Sequence, residues 1–396
     1  MLRPYQQDCL NKLLWARTMP GNDLVSIAQG GGKSHIIAEY AKAINEPVLI
    51  IQPGRELVVQ NMNKLLACVD KGKVGVFSAS MNTKEIKQYT FATIGSIFRK
   101  PEDFKHFKTV IIDEAHTLNV KKQGSMLNSF LKAIGSPKCV GLTATPFRQC
   151  QQYIRHNAYF VESITVTKMI NRVMPKFWER LIYTISTQEL IDLGYLVPLT
   201  YVDQKIIDQM QIPTNVSKSD FDLDKFEELI WDQLNRIQYT IEKARDNFLS
   251  TLVFCSSVYE AGLLASKVSG SEVVTSFTKK SDRKKIVDRF KYGETKVVFN
   301  VGCLTTGFDH PGLGCIVLLR PTRSIALYLQ MLGRGSRITP GKKTCAVVDF
   351  TDTVNKLGKI EEFRVEKVEN KWNIVNNKRA WHGVELYRFS IDKLPL

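Results

Sequence analysis

Short runs of β-branched and aliphatic residues alternate along this chain with segments whose apolar positions recur every three to four residues. That alternation is the pattern of parallel sheets covered by helices. In the first half the strand-like runs begin at Asp23 (DLVSIA), Pro47 (PVLIIQ), Tyr89 (YTFATI), Thr109 (TVIIDE) and Cys139 (CVGLTAT), with helical spacing over about 34–44, 55–68 and 125–134. The second half repeats the scheme from Thr251 (TLVFCS), Glu272 (EVVTSF), Lys296 (KVVFNV), Cys315 (CIVLLR) and Cys345 (CAVVDF), with helices over about 259–268, 282–291 and 325–332. Between the halves, residues 202–224 are polar and loop-like, and a helix over about 223–248 leads into the second sheet. After Asp349 the chain completes no further α/β unit. The prediction is an α/β protein of two tandem parallel-sheet lobes with a connecting insertion and a small C-terminal tail. The lobes are placed at 1–200 and 251–355, the connector at 201–250 and the extension at 356–396.

Charge narrows the class of partner. Fifty-five Lys and Arg against 39 Asp and Glu leave the 396 residues at +16, and such an excess favours a polyanion, because each neutralised phosphate releases counterions. Basic chains also bind acidic membranes, but no apolar run reaches spanning length and no basic amphipathic anchor is present. MLRPYQQDCL at the start lacks the apolar core of a signal peptide, so the expectation is a cytoplasmic protein. The eight cysteines are scattered without a CxxC pair and read as reduced core residues.

The best-defined chemical element is SIAQGGGKSHII, residues Ser26 to Ile37, lying between a strand-like run and a helical one as a phosphate loop requires. Gly30, Gly31 and Gly32 let backbone N–H groups approach anionic oxygens. Lys33 is placed to reach the β- and γ-phosphates, and Ser34 to ligate Mg²⁺. The strict GxxxxGKS/T pattern lacks its first glycine, which is Ile27 here. Asp113 and Glu114, at the end of the TVII run about eighty residues on, fall at a strand's carboxyl end, where ligands gather in open α/β sheets. Asp113 would hold the Mg²⁺ and Glu114 would polarise the attacking water. In the second half, Gln330-Met-Leu-Gly333-Arg334-Gly-Ser-Arg337 sets two arginines three apart on or beside a helix. Guanidinium forks suit γ-phosphate charge, and an arginine finger can raise turnover by about 10³–10⁵. Supplied by the other lobe, these arginines would make ATP hydrolysis depend on closure of an inter-lobe cleft.

Taken in order, these segments resemble the motif series of superfamily 2 helicases of the DEAH/DExH type, over nearly the whole chain, and the resemblance implies two RecA-like lobes. LRPYQ resembles the adenine-reading Q-type element, implicating Arg3 and Gln6. AQGGGKS corresponds to motif I, QPGREL with Arg55 to motif Ia, and ATIGS with Thr93 to motif Ib, the last two on the nucleic-acid track. Asp113–His116 spells DEAH, motif II, and GLTATPFR carries the TAT of motif III. There the resemblance makes His116, Thr143 and Thr145 the coupling between hydrolysis and nucleic-acid binding. LVFCSS resembles motif IV. LTTGFDHP matches motif V, placing Gly307 and Asp309 near the nucleotide and Thr305 near the nucleic-acid backbone. QMLGRGSR matches motif VI, giving catalytic roles to Gln330, Arg334 and Arg337 alongside Lys33. Motifs Ia, Ib and IV are weak singly, whereas I, II, III, V and VI in order and spacing are jointly specific.

ISTQELIDLGYLVPLTY (Ile185–Tyr201), the RPTRS run at Arg320 and GRGSR resemble the RadD-like, XPB-like and UvsW-like DNA helicases. The cysteine-rich segment that follows the core in RadD-like proteins does not occur in this sequence. The compactness of the chain resembles minimal phage-encoded motors. The resemblance implies ATP with Mg²⁺ and a single-stranded DNA track, at a fork or branched junction, in replication, recombination or repair and with the proteins of those processes as partners. An RNA helicase, the motor subunit of a restriction-type complex, and an ATP-gated clamp with little turnover are the alternatives. Two basic and aromatic stretches stay open at this level: Lys168–Arg180, with Phe177 and Trp178, and the segment with Trp372, Lys378, Arg379 and Trp381. Each reads either as a strand-separating surface that stacks on bases or as core residues under a basic face, the second as a strand pair packed on the motor.

Overall fold

A computed structural model of the chain describes residues 2–118, 125–155, 161–216, 219–304, 308–377 and 380. Its contacts divide into two compact units. The first holds Met1–Arg148, Met169–Ser186 and Val365–Trp372; the second holds Gln149–Lys168, Thr187–Arg364 and the chain from Asn373.

In the first unit the strands are β1 (Asn22–Ile27), β2 (Val48–Gln52), β3 (Val74–Ser78), β4 (Thr83–Lys84), β5 (Tyr89–Thr93), β6 (Thr109–Asp113) and β7 (Lys138–Thr143). The chain then forms β8 (Phe147–Arg155) and β9 (Val161–Met169), which pair in a separate two-stranded sheet, and returns as β10 (Trp178–Ile185). The large sheet runs β10-β1-β7-β6-β2-β5-β3-β4, parallel except for the short β3–β4 pair. β2, β3 and β6 are buried at every position, because a parallel sheet has both faces covered by its crossovers. The covering helices α1 (Pro4–Arg17), α2 (Lys33–Ile44) and α3 (Arg55–Leu66) pack through residues such as Leu13, Ile37 and Val58.

The second unit contains β11 (Leu199–Asp203), β12 (Thr251–Cys255), β13 (Ser271–Val274), β14 (Val297–Asn300), β15 (Cys315–Leu319) and β16 (Cys345–Asp349), in the order β11-β16-β15-β12-β14-β13, all parallel. A terminal hairpin of β17 (Arg364–Val368) and β18 (Lys371–Val375) turns at Glu369 and Asn370, both at positive φ.

The expected sheets are present, but the boundaries fall elsewhere. β11 is the edge of the second sheet, so the long continuous part of that unit begins at Thr187 rather than near 200, with Gln149–Lys168 added from upstream. Glu361 explains the allegiance: it accepts from the backbone N–H of Leu199 (2.9 Å) and the hydroxyl of Tyr201 (2.6 Å). The expected helix over 223–248 is two helices, Leu223–Ile230 and Leu234–Asn247, separated by a tight turn at Trp231–Gln233. Its apolar face belongs to the second core, where Phe226, Ile237 and Ile241 are fully buried beside Val253, Leu264 and Phe299. The connector is therefore part of the second unit. Trp178 is 1% exposed against Gly141, where a Cβ would come within 2.5 Å of the indole ring, so this residue is core and not a wedge.

Candidate nucleotide site and nucleic-acid interface

The phosphate loop sits between β1 and α2, with Gly30 at φ 79° and Gly32 at φ 76°. Only glycine enters that region without strain. Gly32 caps α2, so Lys33 and Ser34 open the helix at its positive end. The loop is held from α1: the Tyr5 hydroxyl donates to the Gly31 carbonyl (2.7 Å), and the Gln6 amide reaches the same oxygen (3.5 Å). Gln6 also accepts from the backbone N–H of Arg3 (3.0 Å). Arg3 and Gln6, expected at an adenine, thus lie beside the loop, with Gln6 buried and bonded to it. Tyr5 was not anticipated; in the sequence it is one aromatic among many.

The acidic pair closes β6, Asp113 as its last residue and Glu114 just beyond it. Lys33 Nζ lies 3.9 Å from Glu114 Oε1, and both side chains are largely buried. Glu114 is held at φ 49°, an uncommon conformation for a side-chain-bearing residue, while its N–H donates to Asp113 Oδ1 (2.9 Å). Asn61 on α3 donates to the other Asp113 oxygen (2.8 Å). Burial and the neighbouring Glu114 carboxylate push the Asp113 carboxyl up to about 6, against the pull of Lys33 and Asn61. Asn61 was also missed; a fully buried amide on an otherwise apolar helix face is its signal, and burial is not visible in sequence. Asn61 Oδ1 and Glu114 Oε2 are buried without hydrogen-bond partners. With Asp113 they make a buried, oxygen-rich cluster, the chemistry that a hard divalent cation takes.

His116 joins this pair to the TAT segment. Its Nδ1 lies 2.9 Å from Thr143 Oγ1, 3.2 Å from Thr145 Oγ1 and 3.4 Å from Glu114 Oε2. Burial, and secondarily Lys33, lower the imidazole to about 4, so it is neutral at pH 7. Thr145 N–H donates to Thr143 Oγ1 (3.0 Å), fixing the turn after β7. The three residues expected to act together are in contact.

Arg55 and Thr93 are likewise joined through one cluster. Arg55 donates to the Ser80 carbonyl (3.3 Å), and the Ser80 and Ser78 hydroxyls are 3.0 Å apart. Ser96 Oγ accepts from Ala79 N–H (2.9 Å) and lies 2.9 Å from Thr93 Oγ1. β2, β5 and β3 are neighbours in that order, which gathers their carboxyl ends into this polar rim.

In the second unit, the helix carrying Gln330 spans Ile325–Leu332, and Arg334 and Arg337 lie in the turn beyond it rather than on it. Both donate to the Phe308 carbonyl, and Arg337 pairs with Asp309. Gly335 is required because a Cβ there would lie 2.8 Å from Cys345 Sγ. The YLVP segment buttresses this turn: Val197 N–H donates to the Ser336 carbonyl (2.7 Å), and Leu196 bridges to Arg337. Asp220 fastens the RPTRS run by accepting from Thr322 Oγ1 (2.9 Å) and Arg323 N–H (2.6 Å). Thr305 and Gly307 lie outside the described residues, as do Lys378, Arg379 and Trp381.

A glycine loop, paired carboxylates at a strand end and tandem parallel sheets are the arrangement of motor-type nucleoside-triphosphatases. The chain belongs to the superfamily 2 helicases. Residues 1–148 match the family described as type III restriction enzyme, res subunit, and residues 232–339 match the helicase conserved C-terminal domain. The chain is 27% identical over 379 residues to the putative ATP-dependent helicase IRC3 of Saccharomyces cerevisiae, covering 88% of this chain and 51% of that one. It is 25% identical over 368 residues to the DNA 3'-5' translocase XPB2 of Sulfurisphaera tokodaii, covering 84% and 78%. The putative mitochondrial helicase irc3 of Schizosaccharomyces pombe is 26% identical and covered over 63% of its length, so the chain spans between half and two thirds of the two yeast relatives. Among solved structures, the type ISP restriction-modification enzyme LlaBIII bound to DNA matches with TM-score 0.64 at 16% identity, over 89% of this chain and 28% of that one. Saccharomyces cerevisiae Dbp5 bound to RNA matches with TM-score 0.57 at 17% identity, over 88% and 83%. Both likenesses are of fold, the tandem RecA-like architecture. Among the described residues no helix is long and apolar enough to cross a membrane.

Proposed function

We propose that this protein hydrolyses ATP and couples the reaction to movement along DNA, acting on forked or branched DNA in replication, recombination or repair. The observation that carries the reading is the contact chain Lys33–Glu114–His116–Thr143/Thr145, which ties the catalytic carboxylate to the segment through which hydrolysis would reach the nucleic-acid surface. In this reading the backbone of Gly30–Gly32 and Lys33 bind the β- and γ-phosphates. Glu114 orients the attacking water and accepts its proton. Arg334 and Arg337 supply guanidinium charge for the transition state, with Gln330 and Asp309 beside them in the sequence motifs. Mg²⁺ carried with ATP would be held by Ser34 and Asp113 and would neutralise phosphate charge. Arg55 and Thr93 contact the backbone of the strand, in a way largely indifferent to sequence.

The test is steady-state ATP turnover with and without single-stranded DNA. Glu114→Gln should keep nucleotide binding and lose turnover by about 10²–10⁴; Lys33→Ala should lose both. Wild-type turnover in either variant overturns the mechanism. Stimulation by DNA and by RNA of equal length separates a DNA motor from an RNA helicase, and single-stranded, duplex, forked and four-way DNA test the branched preference. A second reading, the motor part of a restriction-type assembly, draws on the match of residues 1–148; co-purification of a nuclease partner would favour it.

A further inference from the structure

Parts of the two basic and aromatic stretches noted in the sequence, residues 171–180 and Trp372, meet in the first unit. A pocket of about 540 Å³ is lined by Lys12 and Trp15 of α1, by Asn171, by residues 179–182 of β10, and by Lys367 and Trp372 of the terminal hairpin. Arg172 fastens the hairpin there by donating to the Trp372 carbonyl (3.2 Å). Its position separates it from the phosphate loop. β10 runs parallel to β1, pairing Trp178 with Asn22 and Ile185 with Ile27. Residues 179–182 therefore stand at the amino half of the sheet edge, whereas the loop leaves the carboxyl end of β1. Along α1, Trp15 is nine residues beyond Gln6, about 13 Å at the helical rise.

Three features of the pocket point to one ligand chemistry. Trp15 is 59% exposed, an unusual position for the largest apolar side chain, and Trp372 is only half-buried. Two lysines share the lining: Lys12, paired with Asp8 at 3.2 Å and with its ammonium 5.0 Å from the Tyr183 ring centroid, and Lys367, with its ammonium 5.5 Å from the Trp372 ring centroid. Asn171, at the pocket wall, is only 8% exposed, yet its Oδ1 has no hydrogen-bond partner, and leaving a buried acceptor unmade is costly. Glu179 adds a carboxylate to the rim, paired with Lys176 at 3.4 Å.

We infer that this pocket binds a nucleobase of a single strand, as a second nucleic-acid contact away from the Arg55–Thr93 rim. The indoles offer stacking faces that accept any base. The lysines meet the flanking phosphates, and a small turn of the Asn171 amide would bring its Oδ1, closed off from solvent in the free chain, to an N–H of the pairing edge, which each of the four bases carries. The inference rests on the chain being a nucleic-acid motor and adds a holding point that the motif series does not contain.

The experiment is titration of the full chain with oligo-dA and oligo-A of equal length, read by tryptophan emission and by anisotropy of a labelled strand. Wild-type protein should bind with quenched emission. Trp15→Ala and Trp372→Ala should each weaken binding roughly tenfold or more and remove part of the quenching, while Trp15→Phe should restore the affinity. Lys367→Glu, an exposed change on the hairpin, gives the same readout without touching the core and should also weaken binding. The two oligonucleotides distinguish DNA from RNA as the source of the base. If the wild type binds and all these variants bind equally well with the same quenching, the pocket assignment is wrong and the motor reading stands. If the wild type binds neither strand, the motor reading itself fails.

Discussion

Single residues carry the chemistry, and several do so through partners far away in the chain. Asp113 receives its donor from Asn61 and Gly31 receives its donor from Tyr5, at separations of 52 and 26 residues. Removing the latter bond by Tyr5→Phe should loosen the loop by about 0.5–1.5 kcal/mol, measured as a several-fold rise in KM for ATP with little change in kcat. Glu260 offers a test unrelated to catalysis. It is fully buried at the start of the Val258–Lys267 helix, accepting from Ser256 N–H (2.9 Å) and capping with Ser257. Burial pushes its carboxyl from 4.5 up to about 7. The folded chain therefore holds a proton that the unfolded chain has released, so the contribution to stability is full below about pH 4.5 and is lost as pH rises through about 7. Glu260→Gln should flatten the pH dependence of Tm in that window and raise Tm at pH 8 relative to wild type, as read by thermal melts at pH 5, 6, 7 and 8. The motif residues themselves were readable in sequence because their chemistry is local in type and spacing. Tyr5, Asn61 and Glu260 were not singled out, because a polar side chain announces its burial only after the fold has closed over it.

At the scale of elements, the glycines show where backbone and packing leave no room. Gly32 combines positive φ with a would-be Cβ only 2.4 Å from Gln6 Nε2. Gly32→Ala should therefore abolish tight ATP binding, as judged by titration with a fluorescent nucleotide, while circular dichroism stays near wild type. Gly141 on β7 faces Trp178 and Ala115, where a Cβ would lie 2.5 and 2.7 Å away. Gly141→Ala should cost about 1–3 kcal/mol by overpacking, seen as a lower denaturation midpoint. The strand-like runs of the central sheets were clear from their β-branched composition. β10 and β11 were less so: WERLIYTI opens with the adjacent charges Glu179 and Arg180 and is only partly buried at every second position from Ile182, and LTYVD is largely exposed. Both are edge strands, which bury one side less and therefore carry a weaker apolar signature.

For the whole molecule, the balance of charge sets the behaviour on a polyanionic track. With a net charge of +16, binding to single strands should fall steeply with salt, by about 300-fold or more between 50 and 200 mM if six or more phosphates are contacted. A flat salt response in anisotropy titrations would contradict backbone-dominated binding. The two units are not two simple halves of the chain. Segments 149–168 and 187–203 join the second unit, while 365–372 returns to the first, so a cut near residue 200 would split the second sheet from its edge strand.

The sequence alone determined that there are two parallel-sheet units and singled out the residues proposed to serve phosphate, cation and water, because periodicity and motif spacing are local properties of a chain. It also placed the basic and aromatic stretches without deciding between core and surface. Tertiary structure decided that question in both senses, burying Trp178 against Gly141 and leaving Trp372 to line a pocket beside Trp15, a residue the sequence had not singled out. It also decided the order of the strands, the allegiance of Leu199–Asp203, and the turning of Gln6 onto the phosphate loop. These outcomes depend on which distant segments share a face and exclude water between them, and no local pattern encodes that pairing.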